Sequence, residues 1–145
     1  MTMATRILIV ESPYYQEIAE ELAKGAIAAL NAANTEVDRV SVPGALEIPP
    51  AIAMASETDR YDGFVALGCV IRGETSHYDI VANESARALM ALNLEGLAIG
   101  NGILTCDTGE QAKVRADAAG KNKGADAANA ALALIKVRED MSRGE

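Results

Sequence analysis

YDGFVALGCVIRGETSHYDIV, residues 61–81, is the stretch on which the reading of this chain turns. Phe64, Val65, Ala66 and Leu67 form a near-continuous apolar run, the pattern of a strand buried on both faces. Tyr78, Ile80 and Val81 lead into an amphipathic segment, which predicts a helix. Between them, Arg72-Gly73-Glu74-Thr75-Ser76-His77 brings together a glycine, two hydroxyls and the chain's single histidine. A loop that leaves the C-terminal edge of a parallel strand and enters a helix is where α/β proteins hold ligands. Its free backbone N–H groups and the positive end of the helix dipole suit a phosphate.

The same alternation extends outward in both directions. Ile7 to Val10 reads as a first strand. Ser12-Pro13 then predicts a helix start, with Ser as N-cap and Pro at the first helical position. Ile18, Leu22, Ala26, Ala29 and Leu30 recur at helical spacing, which carries that helix to about Ala33. Val37, Val40 and Val42 mark a second strand, ended by a Pro43-Gly44 turn, and Glu47-Ile48-Pro49-Pro50 opens a short helix to about Ser56. After the central stretch come a helix from Val81 to Leu92, with Leu89 and Leu92 on its buried face, and a strand from Leu97 to Leu104 interrupted by Gly100 and Gly102. A loop over Thr105 to Thr108 and a helix from Gln111 to about Ala119 follow. After a break at Gly120 to Gly124, a last helix runs from Ala125 to about Arg138 with a frayed charged tail. Strands alternating with helices predict one domain spanning residues 1–145, a four-stranded parallel sheet with helices on both faces. So small a sheet exposes edges that a neighbour commonly covers, so an oligomer is expected.

Composition narrows the function. Half of the 145 residues are hydrophobic but only 3% are aromatic, so the core is built from Ala, Ile, Leu and Val. A formal net charge of -8 argues against nucleic acid or an anionic membrane as partner, because phosphate backbones need a basic surface. An anionic ligand would therefore need a local cation. Met1 to Thr5 is barely charged and the apolar run Ile7 to Val10 is short, so no secretory leader is expected. No run approaches the ~18–20 apolar residues of a membrane span. Two cysteines, Cys69 and Cys106, make no disulfide framework and point to a reducing cytoplasm. One histidine and two distant cysteines argue against zinc.

The strand ends gather the chemistry. Ser12-Pro13-Tyr14-Tyr15, Pro43 to Glu47, Arg72 to His77 and Thr105 to Asp107 lie along one sheet edge if the strands are parallel. Each has a plain structural reading beside a functional one. Tyr14 could be a core-edge aromatic. Glu47 could be a helix-start carboxylate. Thr75 and Ser76 could be N-caps, and the two cysteines read as small buried fillers. His77 is harder to dismiss, since its ordinary pKa lies near neutrality and it adjoins a phosphate-type loop.

Three segments together carry a family resemblance: VPGALEIP at residues 42–49, LGCVIRGETSHYD at 67–79, and GILT at 102–105. In this order and spacing, over Ile7 to about Ile135, they resemble lumazine synthase, an enzyme of riboflavin biosynthesis. The resemblance implies a flavodoxin-like, three-layer α/β/α fold. It implies condensation of 5-amino-6-(D-ribitylamino)uracil with 3,4-dihydroxy-2-butanone 4-phosphate, without cofactor or metal. By position it implies that Tyr14, or Tyr15 as alternative, stacks on the pyrimidine. Ala45, Leu46 and Glu47 line the ribityl chain, and Cys69, Val70 and Ile71 hold the ring edge. Glu74 and Thr75 bind phosphate, and His77 shuttles protons. Arg115 resembles the family's phosphate-binding arginine and Lys123 its ring-contacting lysine. Sites between subunits are implied, with Asn101, Arg115 and Lys123 coming from a neighbour. Asp117-Ala118-Ala119-Gly120-Lys121 stands where many shell-forming relatives carry Gly-Thr-Lys-Ala-Gly, so a homopentamer is expected rather than a sixty-subunit shell.

Overall fold

A computed structural model describes residues 4–144. Met1 to Met3, part of the segment read above for a leader, lie outside the described residues. The elements run β1 (Arg6–Glu11), α1 (Gln16–Ala32), β2 (Glu36–Ser41), a 3-10 turn at Ala45–Glu47, α2 (Ile48–Ser56), β3 (Gly63–Ile71), α3 (His77–Leu94), β4 (Ile99–Cys106), α4 (Gly109–Ala116) and α5 (Lys123–Ser142). All pairings are parallel and the strand order is β2-β1-β3-β4.

Strand alternation splits the core into two layers. Ile7 and Ile9 of β1 and Val65 and Leu67 of β3 face α1, α4 and α5, against Ile18, Leu22, Ala128, Ala131 and Ile135. Leu8, Val10, Phe64 and Ala66 face α2 and α3, against Ile48, Ile52 and Leu89. This is the three-layer α/β/α arrangement expected from the sequence.

Several boundaries differ from the sequence reading, each for a local reason. Helix α1 begins at Gln16 with Tyr15 as N-cap, not at Ser12-Pro13. Ser12 is buried; its N–H bonds the Leu67 carbonyl at 3.0 Å and its hydroxyl the Pro43 carbonyl at 3.2 Å, so it is no longer available as a cap. Helix α3 begins at His77, four residues early. Within it Leu89 is buried and Leu92 only partly. The fourth strand is displaced to Ile99–Cys106 and runs unbroken through both glycines. A Cβ on Gly100 would run into the backbone carbonyl of Ala127, so these glycines let α5 lie directly on β4. Thr105 and Cys106 thus belong to the strand, leaving Asp107 and Thr108 as the loop. Helix α4 spans Gly109–Ala116 rather than Gln111 to Ala119, because a Thr108/Gln111 capping box sets its start and an extended Asp117 ends it. The break lies at Asp117 to Asn122. Helix α5 includes Lys123 and Gly124 and continues to Ser142, so the predicted fraying at Arg138 does not occur there; Lys136–Asp140 at 2.8 Å supports the last turns.

Candidate active site

With the order β2-β1-β3-β4, the chain leaves β1 toward one face of the sheet and β3 toward the other. Such a switch point opens a crevice at the C-terminal strand edge. A cleft of about 490 Å³ lies there.

The loop after β2 forms one wall. Val42 N–H bonds the Glu11 carbonyl at 2.9 Å and Ser12 holds Pro43, so the loop is tied to β1 at both atoms. Glu47 N–H turns back to the Gly44 carbonyl at 3.1 Å. Ala45 is buried with Val70 and Val81, while Leu46 and Glu47 stay exposed and line the cleft. Cys69, Val70 and Ile71, the end of β3, form the floor.

The loop after β3 forms the facing wall. The backbone N–H groups of Gly73, Glu74, Thr75 and Ser76 donate to no group among the described residues. His77 N–H bonds the Thr75 hydroxyl at 3.3 Å. Four free amides stand just before a helix of 18 residues, an arrangement that suits an anion. Thr75 and His77 line the cleft beside it, His77 as the first residue of α3; Glu74 is on the loop but does not line the cleft.

Tyr14 is 75% exposed at the cleft mouth, which rules out a core-edge role. Tyr15 lies edge-on to it at 5.0 Å between ring centroids and packs partly into the core. Burial, then the neighbouring Cys69 and Tyr14, raises the Tyr15 phenol's pKa.

Burial also pushes the Cys69 thiol up to about 12, with Cys106 adding to the shift. Cys106 is raised by burial despite the opposing pull of Arg115. Cys69 therefore stays a neutral thiol at working pH, and alkylation by iodoacetamide near pH 8 is expected to be far slower than for a free cysteine. The linkage has a definite sign. An unfolded thiol ionises near ~8.5, below the folded value, so stability from this group is intact under that pH. It falls as pH rises toward about 12. A denaturation series from pH 7 to 10 on wild type and Cys69→Ala checks this, since the variant should lose that part of the slope.

Asn101, Arg115 and Lys123 do not reach the cleft. They line a second concavity of about 370 Å³ beside β4 and α5. There Arg115 Nη1 donates to the Gln111 carbonyl at 3.0 Å, Lys123 pairs with Asp126 at 3.3 Å, and Asn101 Oδ1 accepts from Ile103 N–H at 2.9 Å. Arg115 has no carboxylate partner among the described residues. One chain thus unites Tyr14, Ala45 to Glu47, Cys69 to Ile71, Thr75 and His77, and keeps Asn101, Arg115 and Lys123 apart from them. Ser12, Pro43, Gly44 and Gly73, which the sequence reading places in the strand-end loops without a role of their own, also line the cleft, as do Tyr78 and Val81 at the start of α3. For Ser12 a signal existed: a hydroxyl directly after a buried strand and before a proline has loop carbonyls to satisfy.

Fold and cleft together define a flavodoxin-like, three-layer α/β/α protein with a cleft at its topological switch point. Comparison with known proteins narrows this. A family model described as 6,7-dimethyl-8-ribityllumazine synthase matches residues 4–139. Several curated proteins of that name are similar along nearly their whole length. The one from Novosphingobium aromaticivorans is 56% identical over 94% of this chain and 99% of its own. That from Zymomonas mobilis is 55% identical with the same coverage, and that from Sphingopyxis alaskensis 52% identical over 95% and 98%. The chain belongs to the 6,7-dimethyl-8-ribityllumazine synthase family, transferases of riboflavin biosynthesis.

Proposed function

We propose that this chain condenses 5-amino-6-(D-ribitylamino)uracil with 3,4-dihydroxy-2-butanone 4-phosphate in the switch-point cleft, and that two copies build each site. The observation that carries the reading is the row of four free amides, Gly73 to Ser76, on a loop whose Gly73 and Thr75 line, with His77, an otherwise apolar-floored cleft. The ester phosphate sits on those amides and the Thr75 hydroxyl, with Glu74 on the same loop. The pyrimidine lies between Tyr14 and the Cys69-Val70-Ile71 floor. The ribityl chain runs along Ala45 and Leu46 to Glu47, whose carboxylate accepts its hydroxyl protons.

The chemistry asks little of the protein. Holding amine against ketone in a shaped site supplies proximity. Imine formation, phosphate loss and ring closure each move a proton, and His77 stands between phosphate loop and cleft to carry it. No cofactor or metal is needed for these steps. The products are 6,7-dimethyl-8-ribityllumazine, phosphate and water.

Charge favours a second copy. Around the anion loop Glu74, Asp79 and Asp107 outnumber Arg72. A phosphate there needs another cation, and Arg115 stands without a carboxylate partner beside the unpaired outer edge of β4. A neighbour that docks this edge brings Asn101, Arg115 and Lys123 to the adjoining cleft. Exposed Val137 and Met141 on α5, and Ile80, Met90 and Leu94 on α3, offer apolar surface for the contact. A homopentamer in the cytoplasm is the assembly this reading favours. No helix among the described residues is long and apolar enough to cross a membrane.

Purified protein mixed with both substrates should form the lumazine, seen by absorbance, with matching phosphate release; neither signal appearing would overturn the reading. His77→Ala is expected to lower kcat by at most about 10²-fold, the low end for general acid–base groups, because amine–ketone condensation proceeds without a protein proton donor. A kcat–pH profile identical to wild type would remove the shuttle role.

A further inference from the structure

The anion loop is lightly held. Residues 72–77 are all exposed, and inside the loop there is one hydrogen bond, from His77 N–H to Thr75. The far end is tied to α3, where the Thr75 hydroxyl accepts from His77 N–H and the Ser76 carbonyl from Asp79 N–H at 3.0 Å and Ile80 N–H at 3.3 Å, while Gly73 and Glu74 make no hydrogen bond of their own among the described residues. The side chain that bridges the two ends of the loop is Arg72, which is not among the site residues read from the sequence.

Arg72 touches both ends of the loop and the strand beyond it. Its N–H bonds the Cys106 carbonyl at 2.9 Å, carrying the β3–β4 ladder one residue past the strand. Its Nε donates to Asp107 Oδ1 at 3.0 Å, and its Nη1 lies 3.5 Å from Asp79 Oδ1. Its Cζ stands 4.3 Å from the centroid of the Tyr78 ring. One guanidinium therefore ties the start of the loop to its far end at residues 78 and 79, and both to residue 107. The connection continues: Asp107 N–H bonds Gln111 Oε1 at 2.8 Å, and the Gln111 carbonyl accepts from Arg115 Nη1 at 3.0 Å.

We propose that Arg72 and Asp107 form a positioning pair, resting on the anion-binding role given above to the loop. The pair holds the amide cradle in shape against the end of β4. Arg72 does not touch the phosphate; its fork and its face are committed to two carboxylates and a ring. An exposed ion pair adds little to stability. A cradle displaced by ~1 Å loses up to ~10² in rate, so the effect belongs in binding of the phosphate and not in folding.

The test uses the full chain, with Arg72→Met, Arg72→Lys, Asp107→Asn and the Met/Asn double variant. Affinity for inorganic phosphate is read by calorimetry, and KM for each substrate by turnover. Arg72→Met and Asp107→Asn should each weaken phosphate and raise KM for the butanone phosphate roughly tenfold, with pyrimidine KM little changed. The double variant should be no worse than either single, as for two members of one device. Arg72→Lys should recover only part, because an ammonium has neither the planar fork nor the stacking face. If Asp107→Asn tightens phosphate while Arg72→Met weakens it, Arg72 is a direct anion ligand that Asp107 restrains, and the proposal falls. Wild-type constants in both variants would overturn it equally. Because calorimetry needs no turnover, a wild type that binds phosphate but makes no lumazine strikes the function reading alone, and the variants' phosphate affinities still decide Arg72.

Discussion

Arg115→Ala is expected to reduce kcat/KM for the butanone phosphate by roughly 10²–10³-fold, the loss seen when one preorganised donor to a developing anion is removed. KM for the pyrimidine should stay within a few-fold, since only one substrate carries phosphate. The expectation follows from charge. With a net charge of -8, long-range attraction for a phosphate is absent. A guanidinium matches phosphate oxygens bidentately and remains charged at every working pH. Because Arg115 lies in a concavity separate from His77, the loss should be repairable in trans. Arg115→Ala chains mixed with impaired His77→Ala chains should regain activity, since some interfaces then pair an intact His77 with an intact Arg115. Failure to complement after verified subunit exchange would put both residues in one chain's site or take Arg115 out of it.

The second large effect is structural. Gly100→Val should destabilise the domain by ~3 kcal/mol or more, above the usual ~1–3 kcal/mol of overpacking. The obstacle is the Ala127 carbonyl of a helix that cannot step back, because Gly124 on the same helix is pressed against the Leu22 backbone carbonyl of α1. Against a total stability of ~5–15 kcal/mol, that loss lowers the denaturant midpoint or prevents soluble expression. Gly109→Ala, where nothing lies within 4 Å of an added Cβ, is the matched control and should unfold near the wild-type midpoint. A Gly100→Val protein with the wild-type midpoint would mean that α5 does not lie on β4 as described.

The strands and the cleft loops were legible because their signals are local. Phe64 to Leu67 reads as a buried strand without reference to any other segment. The run from Gly73 to His77 reads by composition alone as a loop at a strand end, and the structure puts Gly73, Thr75 and His77 on the cleft. What was not legible depends on partners distant in sequence. Ser12 looks like a helix cap until Leu67 and Pro43 take its hydrogen bonds. Gly100 and Gly102 look like interruptions until α5 is laid across them. Arg72 looks like one more charge in a polar loop until Asp107, 35 positions away, and Tyr78 are seen around it. The separation of Arg115 from His77 was expected only from resemblance, since no residue pattern says which of two concavities an α4 side chain enters.

The way α5 is wedged between β4 and α1 bears on how the chain reaches its fold. Glu21 accepts a hydrogen bond from Ala118 N–H, 97 positions on, and beside it Gly25 faces Asn122. Closing so long a loop before its contacts reward it slows folding. During synthesis the order is worse. β1, β3 and α1 emerge first, with Ile7, Ile9 and Val65 still lacking the cover that Ala128, Ala131 and Ile135 later provide. At ~5–20 residues per second, that face of the sheet waits several seconds with only α1 to cover it.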